Sequence, residues 1–215
     1  MSPMDRISSL RIEYEQEGLS RSEMATDPYS EFLIWYEEAD AAGVHQVNAF
    51  VLSTADVEGR PSARAVLAKA VDEEGIIFYT NRLSRKGREL ADNPHAAATF
   101  LWLDLHRQIR VEGEVTPVAE TVADEYFSSR PPGARLGAAA SPQSSVVPDR
   151  ATLDQEFAEL EMRYPDGDVP RPDHWGGYRI SWGVAEFWQG RPNRFHDRIR
   201  YRKKDDAWIK ERLAP

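Results

Sequence analysis

The chain has 215 residues, 41% hydrophobic and 29% charged, a composition typical of one globular domain with its own core. The formal net charge of −9 argues against a general nucleic-acid-binding protein, and no apolar run approaches the roughly 20 residues that cross a bilayer. The absence of cysteine excludes disulfides, thiolate metal sites and cysteine nucleophiles, and with no secretory pattern in residues 1–10 we expect a cytoplasmic protein.

The N-terminal part of the chain is predicted to be helical. Residues 7–17 have the pattern of a short polar helix. Asp27 followed by Pro28 is a typical helix start, with Asp as the N-cap and Pro in the first turn. This second helix is predicted to end near Gly43.

Strand patterns dominate the rest of the chain. Strands are predicted at residues 48–54, 63–71, 76–80, 95–103, 108–117, 177–182, 185–188, 194–202 and 207–213. Helices are predicted at residues 84–91, 119–129 and 152–164, with a loop rich in Pro, Gly, Ala and Ser at 131–148. Because the strands follow one another as a meander, we predict a mainly β fold, an antiparallel barrel with added helices.

The C-terminal segment is locally basic. Residues 191–212 contain nine Lys or Arg and four Asp or Glu, a balance of +5, so the remainder carries −14. In a strand, alternation would place on one face the side chains of Arg194, His196, Arg198, Arg200 and Arg202, and on the other those of Phe195, Asp197, Ile199 and Tyr201. Cations on one face repel one another unless they are solvated or matched by an anion. The segment therefore indicates either an anion site or a solvated edge strand.

Two further segments could bind an anion. An unbroken strand would place Arg64 and Lys69 on opposite faces, and a surface lysine is the ordinary alternative at position 69. Ser84 is a predicted N-cap, which places Arg85 and Lys86 in a first helical turn where cations are unfavourable. A phosphate at this helix end would remove the conflict, and a small cost on a solvated helix is the alternative.

Other polar residues carry little weight by themselves. Gln108 and Gln143 are single glutamines, which are usually surface features. The five histidines show no metal-ligand spacing, so no metal site is predicted.

Taken together, the segments resemble the pyridoxamine 5′-phosphate oxidase family. The matching segments lie in order over nearly the whole chain, which makes the resemblance highly specific. They are residues 11–14 (RIEY), 48–52 (NAFVL), 64–69 (RAVLAK), 78–81 (FYTN), 84–86 (SRK), 107–108 (RQ), 126–131 (YFSSRP), 143–145 (QSS), 175–179 (WGGYR), 186–190 (EFWQG), 194–198 (RFHDR) and 212–215 (RLAP).

The resemblance implies a split β-barrel that forms a homodimer, with FMN in clefts between the two subunits. It implies one FMN-binding domain over residues 1–215, with an N-terminal helical arm at 1–26 and C-terminal strands at 177–215 that complete the site. The implied FMN-binding residues are Arg64, Ala65, Val66, Leu67, Lys69, Tyr79, Thr80, Arg85, Lys86, Gln108, Gln143, Ser144, Trp188 and Arg198.

The implied reaction is the oxidation of pyridoxamine or pyridoxine 5′-phosphate by dioxygen to pyridoxal 5′-phosphate, with hydrogen peroxide as by-product, a step of vitamin B6 salvage. Arg194 and His196 are the implied catalytic pair, which orients the substrate and balances charge. The implied substrate-binding residues are Arg11, Tyr14, Lys69, Tyr126, Arg130, Ala134, Arg194 and His196.

Three alanines depart from the family pattern. Ala134 stands where the family usually has a serine that contacts the substrate phosphate, and Ala68 and Ala139 replace larger residues. We therefore expect a wider substrate pocket. A related flavin oxidase of the phenazine-biosynthesis type, or a non-catalytic carrier of flavin or pyridoxal phosphate, is the alternative function.

Overall fold

The computed structural model describes residues 18–215, so the predicted helix at 7–17 lies outside the described residues. Five α-helices occur in this part of the chain: α1 (Pro28–Ala41), α2 (Arg85–Asp92), α3 (Glu120–Ser129), α4 (Pro132–Ala140) and α5 (Arg150–Arg163). The strands are β1 (Ala49–Ala55), β2 (Pro61–Leu67), β3 (Ala70–Asp72), β4 (Gly75–Asn81), β5 (His95–Trp102), β6 (Arg107–Pro117), β7 (Trp175–Ser181), β8 (Val184–Gln189), β9 (Asp197–Lys204) and β10 (Ala207–Leu213). The prediction of a mainly β fold with inserted helices is confirmed.

The described residues form two compact units, each built from separate stretches of chain. The central unit consists of Asn48–Ala98 and Glu112–Trp182. The terminal unit consists of residues 18–47, Thr99–Val111 and Gly183–Pro215. None of the helices within residues 18–215 is both long and apolar enough to span a membrane.

The terminal unit packs helix α1 and the antiparallel strands β8, β9 and β10 around aromatic side chains. The side chain of Asp27 caps α1 by accepting the N–H of Ser30 at 2.8 Å, as predicted. The ring of Phe187 lies edge-on to Trp35 and Tyr201, with centroid distances of 5.2 and 5.5 Å. Buried aromatic contacts of this kind hold the strands that carry Trp188 and Arg198.

The central unit contains the antiparallel pair β1 and β2 and the group β3, β4 and β7, with β7 also paired to the end of β6. Phe78 contacts both Phe50 and Tyr178, with ring centroids 6.1 and 5.8 Å away. A second cluster joins the helices to β7 through Phe127, Leu136, Val169 and Trp175. Both faces of β4 are therefore buried, which explains its continuous apolar sequence.

The predicted strand at 63–71 is wrong, because the structure has two strands, β2 and β3, separated at Ala68 and Lys69. The backbone of Ala68 is held by Asn48, whose carbonyl accepts the Ala68 N–H and whose Nδ2 donates to the Ala68 oxygen, both at 2.9 Å. The Lys69 N–H donates to the carbonyl of Ile77 at 2.8 Å. The Asn48 side chain thus bonds the carbonyl of Ala68 at the point where β2 has ended.

Two further boundary predictions are wrong. The predicted loop at 131–148 contains helix α4, which has Pro132 in its first turn and buries Leu136. The predicted strand at 194–202 begins only at Asp197. Arg194 ends a short 3₁₀ turn in which Asn193 and Arg194 have φ values of 56° and 59°, and this left-handed backbone cannot continue a pleated strand.

Candidate active site

The central unit contains a cavity of about 540 Å³, a size that suits a small molecule. Twelve of the predicted site residues line it. They are Arg64, Ala65, Val66, Leu67, Lys69, Tyr79, Thr80, Lys86, Tyr126, Arg130, Ala134 and Gln143. Residues from β2, β4, α2, α3 and α4 thus meet around one space.

Two cations of this cavity, Arg64 and Lys69, come from β2 and from the break between β2 and β3. The consecutive residues Ala65, Val66 and Leu67 line the cavity as well. The placement of the two cations on opposite faces held only for an unbroken strand, and β2 ends at Leu67. Both cations therefore contact the same space.

Lys86 is the most deeply buried cation of the cavity, with 8% of the residue exposed. Its Nζ donates to Thr80 Oγ1 at 3.0 Å and to Gln143 Oε1 at 2.8 Å. Burial, and then the charge of Arg64, lower the pKa of Lys86 to about 8. Ser84 caps the helix through the N–H of Gly87 as predicted, so Lys86 lies at the helix end where an anion is favoured.

Arg64 is held by a polar cluster around a buried carboxylate, Glu89. The Nη1 of Arg64 donates to Thr54 Oγ1 at 2.6 Å. The Nη2 of Arg64 donates to the hydroxyl of Ser62 and lies 3.4 Å from Glu89 Oε2. Burial lowers the pKa of Arg64 below its ordinary value. Arg85 Nε donates to the other carboxylate oxygen of Glu89 at 2.8 Å. Sequence reasoning missed Glu89, although its position four residues after Arg85 is a helical ion-pair spacing.

A second group of cavity residues combines a cation with stacked aromatic rings. The Arg130 guanidinium carbon lies 5.0 Å from the Trp175 ring centroid, within cation–π range. The Tyr79 ring is nearly parallel to those of Tyr126 and Trp175, at 4.0 and 5.2 Å between centroids. Arg130 Nη1 is buried without a hydrogen-bond partner among the described residues. A buried donor of this kind is suited to an anionic ligand.

The remaining predicted positions of the central unit do not line the cavity. Arg85 is outside it, and Ser144 follows Gln143 in a left-handed turn with φ 70°. Ala68 and Ala139 are also outside the lining, because Ala68 is buried in the strand break and Ala139 packs against the Phe127 cluster. These two alanines therefore do not widen this cavity, whereas Ala134 does line it.

The terminal unit brings together Trp188 and His196, whose ring centroids are 4.7 Å apart. The backbone N–H of Arg191 donates to His196 Nδ1 at 3.1 Å. Burial and the charge of Arg194 lower the pKa of His196. Because Nδ1 accepts a hydrogen bond, the neutral imidazole carries its proton on Nε2 and acts there as a donor.

Carboxylates form ion pairs with the arginines on the basic face of β9. Arg198 makes a two-point contact with Glu186, from Nε to Oε1 at 2.7 Å and from Nη2 to Oε2 at 3.1 Å, and this contact raises the pKa of Arg198. Arg200 and Arg202 both donate to Glu211. The predicted alternation is confirmed for this part of the strand, since Ile199 and Tyr201 on the opposite face are fully buried.

Gln108 and Trp188 line a smaller cavity of about 250 Å³ in the same unit. Phe195 is 76% exposed and does not share the buried face of Ile199, because it precedes the strand. Arg11 and Tyr14 lie outside the described residues. Within residues 18–215, the central unit therefore contains the predicted residues that line the larger cavity, and the terminal unit contains Gln108, Trp188, Arg194, His196 and Arg198.

Comparison with known proteins gives consistent matches over nearly the whole chain. A family model for pyridoxamine 5′-phosphate oxidase matches residues 36–164, and a model for the pyridoxine 5′-phosphate oxidase C-terminal dimerisation region matches residues 175–215. A pyridoxine/pyridoxamine 5′-phosphate oxidase of Cyanothece sp. is 51% identical over 209 residues, covering 97% of this chain and 98% of that protein. The protein of the same name from Salinibacter ruber is 50% identical over 215 residues, covering 99% and 100%.

Solved structures support the same fold. PhzG from Burkholderia lata 383, solved in complex with tetrahydrophenazine-1-carboxylic acid, aligns with a TM-score of 0.86 at 32% identity, covering 91% of this chain and 96% of that chain. An FMN-binding protein from Nostoc punctiforme related to pyridoxamine 5′-phosphate oxidase aligns with a TM-score of 0.69 at 16% identity, covering 89% and 100%. The predicted split-barrel fold class is confirmed by these neighbours, and the dimerisation-region match supports a homodimer. The predicted resemblance is therefore confirmed, and the chain belongs to the pyridoxamine 5′-phosphate oxidase family.

Proposed function

We propose that this protein is an FMN-dependent oxidase of pyridoxamine 5′-phosphate and pyridoxine 5′-phosphate that forms pyridoxal 5′-phosphate and hydrogen peroxide with dioxygen. The observation that carries the proposal is one cavity lined by two different cation groups, one around Lys86 and one at Arg130. The proposed cofactor and the proposed substrate each carry one phosphate monoester. Two anion-binding groups in one cavity match that pair of ligands.

The residues present fit FMN. Lys86, Arg64 and Arg85 are cations near the N-terminal end of α2, and Thr80 and Gln143 supply the polar partners of Lys86. We propose that these residues and Ser144 hold the cofactor phosphate. Gln108, Trp188 and Arg198 complete the FMN-binding clefts of the proposed homodimer. When bound, FMN supplies two-electron redox chemistry, accepting electrons from the substrate and passing them to dioxygen.

The substrate phosphate is assigned to Lys69, Tyr126 and Arg130. The buried Nη1 of Arg130 has no hydrogen-bond partner among residues 18–215, and a phosphate oxygen would satisfy it. Ala134 lines the same cavity and provides no hydroxyl. The serine that the family usually has at this position would donate one hydrogen bond to the substrate phosphate. The loss of that hydrogen bond weakens phosphate binding by about 1–3 kcal/mol when nothing replaces it.

Arg194 and His196 are assigned to the substrate ring. His196 has its Nδ1 occupied by the Arg191 N–H, so it presents an Nε2–H donor in its neutral form. Its lowered pKa keeps that form dominant near neutral pH. We therefore assign His196 to hydrogen-bond donation that orients the substrate, and Arg194 to charge balance, in preference to a general-base role for His196.

A phenazine-type substrate is the second candidate, because PhzG from Burkholderia lata 383 aligns over 91% of the chain. Lys69 and Arg130 at the cavity favour the phosphate-bearing substrate. A carrier without turnover is the third possibility.

The test is reconstitution with FMN followed by aerobic addition of pyridoxamine 5′-phosphate, measuring aldehyde and peroxide. Pyridoxamine without the phosphate is the matched control and should react far more slowly. Bound FMN with neither product would refute the oxidase assignment in favour of a carrier or another substrate. A protein that binds no FMN would refute the cofactor assignment itself.

A further inference from the structure

Glu89 is an acidic side chain placed among cations that we assign to phosphate binding. It is 6% exposed and lies on α2, one turn after Arg85. An acidic group beside an anion site weakens binding by simple Coulomb repulsion. Its presence there requires a compensating role.

The hydrogen bonds of Glu89 define that role. One oxygen, Oε2, accepts from the hydroxyls of Thr54 at 2.5 Å and Ser62 at 2.6 Å and lies 3.4 Å from Arg64 Nη2. The other oxygen, Oε1, accepts from Arg85 Nε at 2.8 Å. The carboxylate therefore connects two cations from different elements, β2 and α2.

The contact with Arg85 uses Nε and leaves the fork of two terminal amino groups for another acceptor. A guanidinium held in this way offers two parallel N–H donors, which match a phosphate. Arg85 is 59% exposed at its side chain, and an exposed arginine without an anchor samples many rotamers. Anchoring Nε removes that entropy cost before the anion binds.

We propose that Glu89 is a positioning residue that fixes Arg64 and Arg85 for the phosphate of FMN, an inference that rests on the proposed function. Glu89 touches neither cofactor nor substrate and acts through the two arginines. Its pKa is lowered to about 2, with Ser62, Thr54 and Arg85 outweighing the effect of burial. The carboxylate is therefore charged near neutral pH.

Glu89→Gln tests the proposal because the two roles of Glu89 predict opposite changes in FMN affinity. Removal of a repulsive charge would tighten FMN binding, whereas removal of a positioning contact would weaken it. The amide has one acceptor oxygen, so its NH₂ group must face either the Arg85 Nε–H or the Arg64 Nη2–H, and one of the two arginines loses its contact with residue 89. We expect the dissociation constant of FMN to rise about tenfold or more, while that of riboflavin, which lacks the phosphate, changes less than twofold. Tighter FMN binding would show that Glu89 acts only by charge repulsion and would overturn the proposal.

Glu120→Gln is the matched control. It removes the same charge from a carboxylate that pairs with two arginines, Arg82 and Arg171, in the central unit, and it should leave both dissociation constants unchanged. Flavin fluorescence quenching with the apoprotein reports both constants. Equal loss of FMN and riboflavin binding in Glu89→Gln would indicate a merely structural role and would also overturn the proposal.

A second variant keeps the test decisive should the buried substitution prevent folding. Arg85→Lys changes an exposed side chain and cannot combine the Glu89 contact with a forked donor pair. FMN binding should weaken and riboflavin binding should not, whereas unchanged FMN binding would overturn the proposal. A wild-type protein that binds riboflavin and FMN equally would instead refute the phosphate site on which the proposed function rests.

Discussion

The lowered pKa of Lys86 predicts that FMN affinity falls as the pH rises through 8. The pKa of this buried amine is about 8 in the protein, below its ordinary 10.5. Lys86 is therefore charged below pH 8 and becomes neutral above it. A bound phosphate stabilises the charged form and raises the pKa again, so FMN binding takes up a proton at alkaline pH.

The magnitude follows from the populations of the two forms. If the bound phosphate moves the pKa of Lys86 well above the range tested, FMN affinity falls about 25-fold between pH 7.5 and 9.5, or ~1.9 kcal/mol. The FMN phosphate does not contribute, because its second pKa is about 6 and it is a dianion throughout. The fall in FMN affinity with pH is thus caused by titration of groups on the protein and not by titration of the FMN phosphate.

The assay is titration of the apoprotein with FMN at each pH, followed by flavin fluorescence. Riboflavin is the control ligand and should show no such dependence, because it has no phosphate. Lys86→Met keeps the apolar stem, removes the charge, and should bind FMN weakly with a flat pH profile. Equal slopes for FMN and riboflavin, or a flat FMN profile in the wild type, would refute this account of Lys86.

Three further changes separate the roles of other residues. Arg130→Ala should raise the KM for pyridoxamine 5′-phosphate about 10- to 100-fold, the effect of losing a charged hydrogen bond, with FMN binding retained; an unchanged KM in steady-state assays would contradict the assignment. Arg194→Ala should lower turnover while FMN stays bound, and unchanged kinetics would remove Arg194 from the site. Gly113→Ala should destabilise by about 1–3 kcal/mol, because the new Cβ meets the backbone oxygen of Ser181. Thermal unfolding should then show a Tm lower by several degrees, whereas Gly133→Ala should not, because within residues 18–215 the new Cβ meets no atom within 4 Å beyond its chain neighbours and its own helix backbone.

Local rules correctly predicted the caps of two helices, α1 and α2. Asp27 and Ser84 accept backbone N–H groups of their own first turns, as cap residues do. The burial of Ile199 and Tyr201 follows from period-two alternation once β9 has begun. These features depend on neighbours within a few residues, and for that reason the sequence is sufficient to predict them.

Features that depend on distant partners were not predictable in this way. Thr80 and Gln143 are 63 residues apart and share a hydrogen bond of 3.0 Å next to Lys86, which no local pattern encodes. Gln143 alone therefore carried little weight. Glu89 on helix α2 was missed for the same reason, since its partners Thr54 and Ser62 lie on strands β1 and β2.

The chain between the two cavity cations Arg64 and Lys69 is not one continuous strand, since β2 ends at Leu67. An unbroken strand would place the two cations on opposite faces, because their positions differ by five and the side-chain period is two. The structure does not sort the lining residues in this way, because the consecutive residues 64–67 and also Lys69 all line the cavity. Asn48 contacts Ala68 at the end of β2 through both its carbonyl oxygen and its Nδ2, and it lies twenty positions earlier in the chain. Residues 64–69 carry the charges, but the alternation that their own pattern predicts does not decide which of their side chains line the cavity.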